Sequence, residues 1–244
     1  ATSASSGADI NGAAIMNATP QMRERLQPVA ARMLNCAPED VSFANNAAHG
    51  GGRSVAWADL CKQAYMDRVG LSVTGFYMTP EIKYDFMTLQ GKAFYYYCYG
   101  AAVSEVEIDT RTGEWWLKAV DIVHDAGRSI NPALDKGQIE GAYVQGMGWL
   151  TMEECIWNPQ GKLLTHGPST YKIPVAGDIP EHFEVSLFEN QNLKPTPFRS
   201  KAVGEPPLML GLSAFFALRD AVGASAQHQV PVQLDAPADR KSVV

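Results

Sequence analysis

Residues 201–222 read KAVGEPPLMLGLSAFFALRDAV. A lone acid, Glu205, stands between a glycine and two prolines at the mouth of an apolar run. Gly204 lets the backbone approach a ligand closely or take a positive φ. Pro206 biases Glu205 towards an extended conformation and keeps it out of the helix that follows. Prolines suit a first helical turn, where N–H groups have no intrahelical partner. From Leu208 onward the run carries too few charges for a surface helix, so the pattern predicts a core helix. The carboxylate is then held beside free backbone N–H groups, where an anion or a reacting group fits. Local chemistry by itself favours the plainer reading, a loop acid complementing a helix dipole, and leaves a reactive carboxylate as the alternative.

Composition narrows the class. A chain of 244 residues with 46% hydrophobic and 19% charged residues has an ordinary globular make-up and can bury a sizeable core. The net charge of -6, with no basic run, argues against nucleic-acid binding. The apolar run at 208–218 is too short to span a bilayer, and Ala1 to Asp9 lacks the basic-then-apolar order of a signal peptide. Cys36, Cys61, Cys98 and Cys155 form no CxxC pair; they read as buried apolar thiols suited to a reducing cytosol.

Working back to the start, Thr2 to Ala8 is a run of small residues, and Asp9 is placed to cap a helix over Ile10–Ala18. Such a loop suits a polar or anionic ligand, but local chemistry by itself favours a frayed terminus. Helical spacing of Met22, Leu26, Val29, Met33 and Leu34 carries the helix to Cys36, with a kink or restart at Pro28. Two short strands, 41–43 and 54–55, flank Gly50-Gly51-Gly52, which lacks the Lys-Ser/Thr of a phosphate loop and reads as a turn. Trp57 to Arg68 is amphipathic, and 72–78 alternates like a strand. Residues 94–97, 101–109 and 115–123 read as antiparallel strands around a glycine turn. Glu105, Glu107 and Asp109 share one strand face, taken as solvated rather than metal-binding.

Asn131-Pro132 opens a helix to about Glu153. Gly137, Gly141 and Gly148 fall within about 40° of one another on it, so a backbone or a flat ligand is expected to press there. Gln138 and Gln145 project beside that face, as solvated side chains or as ligand donors. Residues 154–164 read as a strand pair turned at Asn158–Gly161, and 184–188 as another strand. His166 has no partner at ligand spacing and reads as a hydrogen-bonded loop histidine.

Five stretches carry a resemblance: TSASSGADING (2–12), YGAAVSEVEID (99–109), INPALDKGQIEGAYVQGMG (130–148), GPSTYKIP (167–174) and SKAVGEPPLMLGLSAFFALRDA (200–221). Together they resemble the C-terminal part of the molybdopterin-binding region of the xanthine dehydrogenase/xanthine oxidase family, the molybdenum hydroxylases. The resemblance runs from residue 2 to about 225. Pro-Pro after Glu205 favours the xanthine type, since the related aldehyde oxidases tend to carry a different pair.

The resemblance implies an α+β fold of antiparallel sheets with packed helices. Residues 1–244 would form the second half of a molybdopterin-binding domain, a piece of a longer chain, with 226–244 as a loop-like tail. It implies Glu205 as catalytic base. Ala4 would be a backbone neighbour of molybdenum, with Ser5, Ser6, Gly7, Ala8, Gln138 and Gly204 around the cofactor. The family often has Ser or Thr where Gly7 and Ala8 stand, so backbone bonds rather than side-chain bonds are expected there. The implied reaction is hydroxylation of an electron-poor carbon in a purine such as hypoxanthine or xanthine, in the cytoplasm. Aldehyde or other heterocycle oxidation and a non-catalytic folded module are the alternatives. Implied partners are the N-terminal remainder of the molybdopterin subunit and iron–sulfur and FAD domains or subunits. No membrane or nucleic acid is expected, a homodimer is possible, and the chain alone is expected to be inactive.

Overall fold

The computed structural model describes residues 5–239. They divide into two compact units, one of residues 7–91, the other of Ser5, Ser6 and residues 92–239.

In the first unit a 28-residue helix, α1 (Gly7–Leu34), runs unbroken through Pro20 and Pro28. Each proline removes one ladder bond, yet no restart occurs at Pro28. Leu26, Val29, Ala30 and Leu34 are buried on both sides of it, against Leu60, Ala64, Val41 and Ala48, and that burial holds the axis. Asp9 lies inside the first turn rather than capping it. The sheet is a meander of β1 (Ser42–Ala44), β2 (Ala47–Gly50) and β3 (Arg53–Ala56). Both hairpins use two consecutive residues at positive φ, Asn45-Asn46 and Gly51-Gly52, the geometry that matches strand twist. Helix α2 (Trp57–Met66) follows. Residues 72–78 form no strand. Strands β4 (Lys83–Asp85) and β5 (Gln90–Lys92) close the unit as a short hairpin.

The second unit is built on β6 (Gly100–Ile108) and β7 (Trp115–His124), antiparallel, with β8 (His182–Leu187) parallel to β7. The sheet is therefore mixed, not antiparallel throughout. The β7–β8 connection contains helix α3 (Pro132–Thr151), and a long helical crossover returns the chain in the same direction. Pairing slips by one residue at Glu105/Val106, opposite Lys118. This bulge changes the inward set on β7 from Leu117 to Val120, Ile122 and His124. Glu107 pairs with Lys118 at 3.3 Å on the exposed side, and Asp109 accepts a turn bond from the Arg111 N–H at 2.8 Å. Residues 94–97 are not a strand, and 154–164 contribute only a Trp157–Leu163 bridge. Residues 226–239 form no helix or strand, although the Ala238 N–H is tied to the Leu150 carbonyl at 2.8 Å.

Pro206–Gly211 is a 3-10 helix that continues into α4 (Leu212–Ser225). Only Ala214, Leu218 and Gly223 of α4 are buried, so the apolar run has one core face rather than being enclosed. The combined 20 residues are long and apolar enough to cross a bilayer by length and composition, unlike the shorter run read from the sequence. Their inner face is used within the unit instead. Ala214 joins Ile139, Tyr143 and Met147 of α3 and Val120, Ile122 and Val185 of the sheet. The Tyr143 hydroxyl lies 2.6 Å from Ser104 Oγ, which lies 2.7 Å from Ser213 Oγ, linking α3, β6 and α4. Burial raises the Tyr143 phenol above its ordinary value, and the bonds to Ser104 and Ser213 lower it.

The close approach to α3 occurs at Gly146. A Cβ there would lie 2.1 Å from the Leu208 carbonyl oxygen, and one at Gly211 would lie 2.5 Å from the Gly146 carbonyl carbon. Of the glycines singled out by helical angle, only Gly148 is tight, against Pro174; Gly137 and Gly141 face open space. Denaturant unfolding should separate them. Gly146→Ala and Gly211→Ala should each lose about 1–3 kcal/mol or more by overpacking. Gly137→Ala and Gly141→Ala should gain about 0.5–1 kcal/mol from helix propensity. Equal effects at all four positions would contradict this packing.

Candidate active site

Three segments far apart in sequence meet around Gly204. A Cβ on Gly204 would lie 3.2 Å from Ser5 Oγ and 3.4 Å from Gln138 Oε1. The backbone N–H of Glu205 donates to Ser5 Oγ. Gln138 stands on an exposed stripe of α3 with Gly137, Gly141 and Gln145, so its amide is available to a ligand. Asn131 sets the helix start by accepting from the Leu134 N–H at 3.3 Å, with Pro132 in the first turn. Ser6 is half-buried beside Ser5. Gly7 and Ala8 open α1 in the other unit, and Ala4 lies outside the described residues.

Glu205 is exposed and makes no capping bond with its side chain. Its backbone has φ −92° and ψ −38°, in the helical region. The extended conformation expected before Pro206 is not adopted, because the Glu205 carbonyl accepts from the Leu208 N–H at 3.0 Å and so starts the 3-10 helix. The carboxylate therefore sits at the entrance of a helical stretch with free oxygens, as a group that accepts a proton from a ligand must.

What holds this segment was not legible in the motif. Lys201 Nζ donates to the Asp125 carboxylate and, at 3.0 Å, to the Tyr97 carbonyl. Both ionic side chains are nearly buried, at 9% and 6% exposure. The Ala202 N–H donates to the Tyr96 hydroxyl at 2.8 Å, and the Cys98 thiol donates to the Ala202 carbonyl at 3.0 Å. His124, one residue before Asp125, is buried with Nδ1 unpartnered. Burial lowers its pKa, Lys201 lowers it further, and Asp125 opposes both. Because its pKa is lowered from the unfolded value of 6.5, its contribution to stability is present above that value and is lost as pH falls from there through the folded one.

Other candidates lie apart from this cluster. A cavity of about 720 Å³ is lined by Leu163, Thr165, His166, Tyr171, Lys172 and Ile173, and includes neither Glu205 nor Gln138. The Tyr171 hydroxyl donates to Glu153 at 2.6 Å, and that carboxylate pushes the phenol up to about 12. Among the described residues no group of His, Cys, Asp or Glu is arranged to hold a metal ion, and the four cysteines form no disulfide, three of them half-buried and Cys155 exposed.

The chain's similarities agree with this architecture. The family description "Molybdopterin cofactor-binding domain" matches residues 1–180. The chain is 45% identical over 240 residues to the xanthine dehydrogenase/oxidase of Gallus gallus, covering 97% of this chain and 16% of that protein. It is 42% identical over 235 residues to the xanthine dehydrogenase of Oryza sativa subsp. japonica, covering 93% of this chain and 16% of that protein. The chain thus spans about one-sixth of the length of these relatives. Among solved structures, quinoline 2-oxidoreductase from Pseudomonas putida 86 superposes with a TM-score of 0.73 at 24% identity, over 99% of this chain and 30% of that one. The aldehyde oxidoreductase of Desulfovibrio desulfuricans superposes with a TM-score of 0.68 at 23% identity, over 98% and 22%. The family model over residues 1–180, on an α+β frame shared with these structures, makes the assignment: the chain belongs to the molybdopterin cofactor-binding domain family, and the relatives it resembles are xanthine dehydrogenases.

Proposed function

We propose that the chain forms one wall of the cofactor site of a cytoplasmic molybdenum hydroxylase and supplies its general base. The observation that carries this is the meeting of Ser5, Gln138 and Gly204 beside the exposed carboxylate of Glu205. The residues suit the group. A pterin edge offers both donors and acceptors, and the Gln138 amide has one of each kind to return. Gly204 has no side chain to hold a flat ligand away from the backbone. Gln138, Ser5, Ser6 and Gly204 would hold the cofactor here. When bound, the molybdenum cofactor supplies the oxygen transfer and takes up the electrons.

The chain's own task is proton movement and placement. A Glu205 Oε atom, free of internal hydrogen bonds, takes the proton released as the oxygen nucleophile forms. The substrate class is a purine such as hypoxanthine or xanthine, supported by the Gly-Glu-Pro-Pro sequence and by the named activities of the relatives. Iron–sulfur and flavin groups on other domains or subunits would take up the electrons, which fits relatives several times longer than this chain.

Steady-state assays of the full-length, cofactor-loaded protein on hypoxanthine, an aldehyde and nicotinate test the substrate class. A kcat/KM highest for hypoxanthine is expected; a preference for the aldehyde or nicotinate would overturn the purine reading. Replacing Gln138 by alanine in the same protein should remove a hydrogen bond of about 0.5–1.5 kcal/mol. Molybdenum and pterin retention during dialysis should fall correspondingly, and unchanged retention would remove Gln138 from the site.

A further inference from the structure

We infer that the buried Lys201–Asp125 ion pair is the positioning device that sets Glu205 against Gln138; this rests on reading Glu205 as the base. Asp125 is the first residue after β7, and its Oδ1 accepts from the Gly127 N–H at 2.9 Å. The next residues pair with the segment that leads to Glu205. The Lys201 N–H donates to the Ala126 carbonyl at 2.8 Å, the Arg128 N–H donates to the Arg199 carbonyl at 3.0 Å, and Gly127 bridges Ser200. Gly127 has φ +60°, and a Cβ on it would lie 2.6 Å from the Arg199 carbonyl oxygen. Only glycine allows the two backbones this close.

Two arms leave this clamp. Four residues beyond Lys201 is Glu205. Four residues beyond Gly127 is Asn131, the cap of α3, which carries Gln138 two turns later. The first arm is restrained along its length by Tyr96 and Cys98 at Ala202, by burial of Val203, and by Ser5 at Glu205. The ion pair ties the side chain of one arm to the root of the other. A buried ion pair is poor evidence for stability, because apolar replacements of similar volume often fold as well. It is directional, however. The ammonium bonds the carboxylate and the Tyr97 carbonyl at once and lies 5.5 Å from the Tyr99 ring centroid. Loss of that direction lets the Glu205 arm tilt, and a displacement of about 1 Å at a reacting group can cost about 100-fold in rate.

The test uses the full-length, cofactor-loaded protein with hypoxanthine. The variants are Lys201→Met/Asp125→Asn, Glu205→Gln, and the three substitutions combined. Molybdenum and pterin content, kcat per molybdenum and KM are measured for each. The neutral pair should keep its cofactor, lose about 10–100-fold in kcat per molybdenum, and hold KM within about 3-fold. Added to Glu205→Gln it should cause no further loss, because residues acting through one group are non-additive. Unchanged kcat per molybdenum, multiplying losses, or loss of cofactor with intact kcat on the remainder would each overturn the positioning role. If the neutral pair does not accumulate, Lys201→Arg carries the test. It keeps the charge and moves the donor, so the same fall in kcat is expected and an unchanged kcat overturns the inference. Full turnover by Glu205→Gln would instead overturn the base reading itself, so the two failures are distinguishable.

Discussion

Replacing Glu205 with glutamine in the full-length protein should lower turnover by about 100-fold or more while molybdenum and pterin remain bound. Glutamine keeps the shape and the hydrogen-bonding reach of the side chain but cannot accept a proton at neutral pH. The backbone contacts of the residue are independent of the substitution. The N–H still donates to Ser5 Oγ, and the carbonyl still accepts from Leu208. Fold and cofactor content should therefore be spared, and the loss should fall on kcat. Turnover near wild type with the metal retained would remove Glu205 from the chemistry.

The largest effect on stability is expected at Lys201. Replacing it with methionine leaves Asp125, whose side chain is 6% exposed, without its counter-charge. Removing one partner of a buried pair costs about 3–5 kcal/mol. The Tyr97 carbonyl loses its donor as well. Adding Asp125→Asn removes the stranded charge, so the double variant should recover most of the loss, and denaturant midpoints would show it. A single variant as stable as wild type would mean that water reaches the pair and screens it. The neutral pair can thus fold well and still turn over slowly, which separates holding the fold from aiming the base.

Reading the sequence singled out this segment better than it gave its geometry. Gly204-Glu205-Pro206-Pro207 announced a restrained acid at a helix mouth, and the resemblance gave it a role. The conformation of Glu205 was not legible, because the carbonyl bond to Leu208 outweighs the bias that Pro206 imposes. Helical angle grouped Gly137, Gly141 and Gly148 on α3. Angle alone does not say which face meets a neighbour: of the three only Gly148 is tight, against Pro174, and the close backbone approach fell on Gly146 and Gly211. The β6–β7 hairpin was legible from alternation and the turn at Gly113. The bulge opposite Lys118 was not, since one unpaired residue leaves no compositional mark.

Asn45-Asn46 is a two-residue turn of the kind asparagine favours at positive φ, and it separates β2 from β1 within a stretch whose alternation marks only 41–43 and 54–55. The parallel pairing of β8 follows from the α3 crossover, a property of the connection rather than of residues 182–187. Lys201 and Asp125 are 76 positions apart, and neither stands in a pattern that names the other. A buried lysine four residues before the acid becomes meaningful only once the fold closes the loop onto β7.

The most direct measurement is an experimental structure of the full-length protein with its molybdenum cofactor bound. The pterin should lie within hydrogen-bonding distance, about 2.7–3.2 Å, of the Gln138 amide, with Gly204 beneath it and the Glu205 carboxylate facing the metal. A cofactor seated elsewhere, with Gln138 turned to solvent and Glu205 away from the metal, would contradict the account.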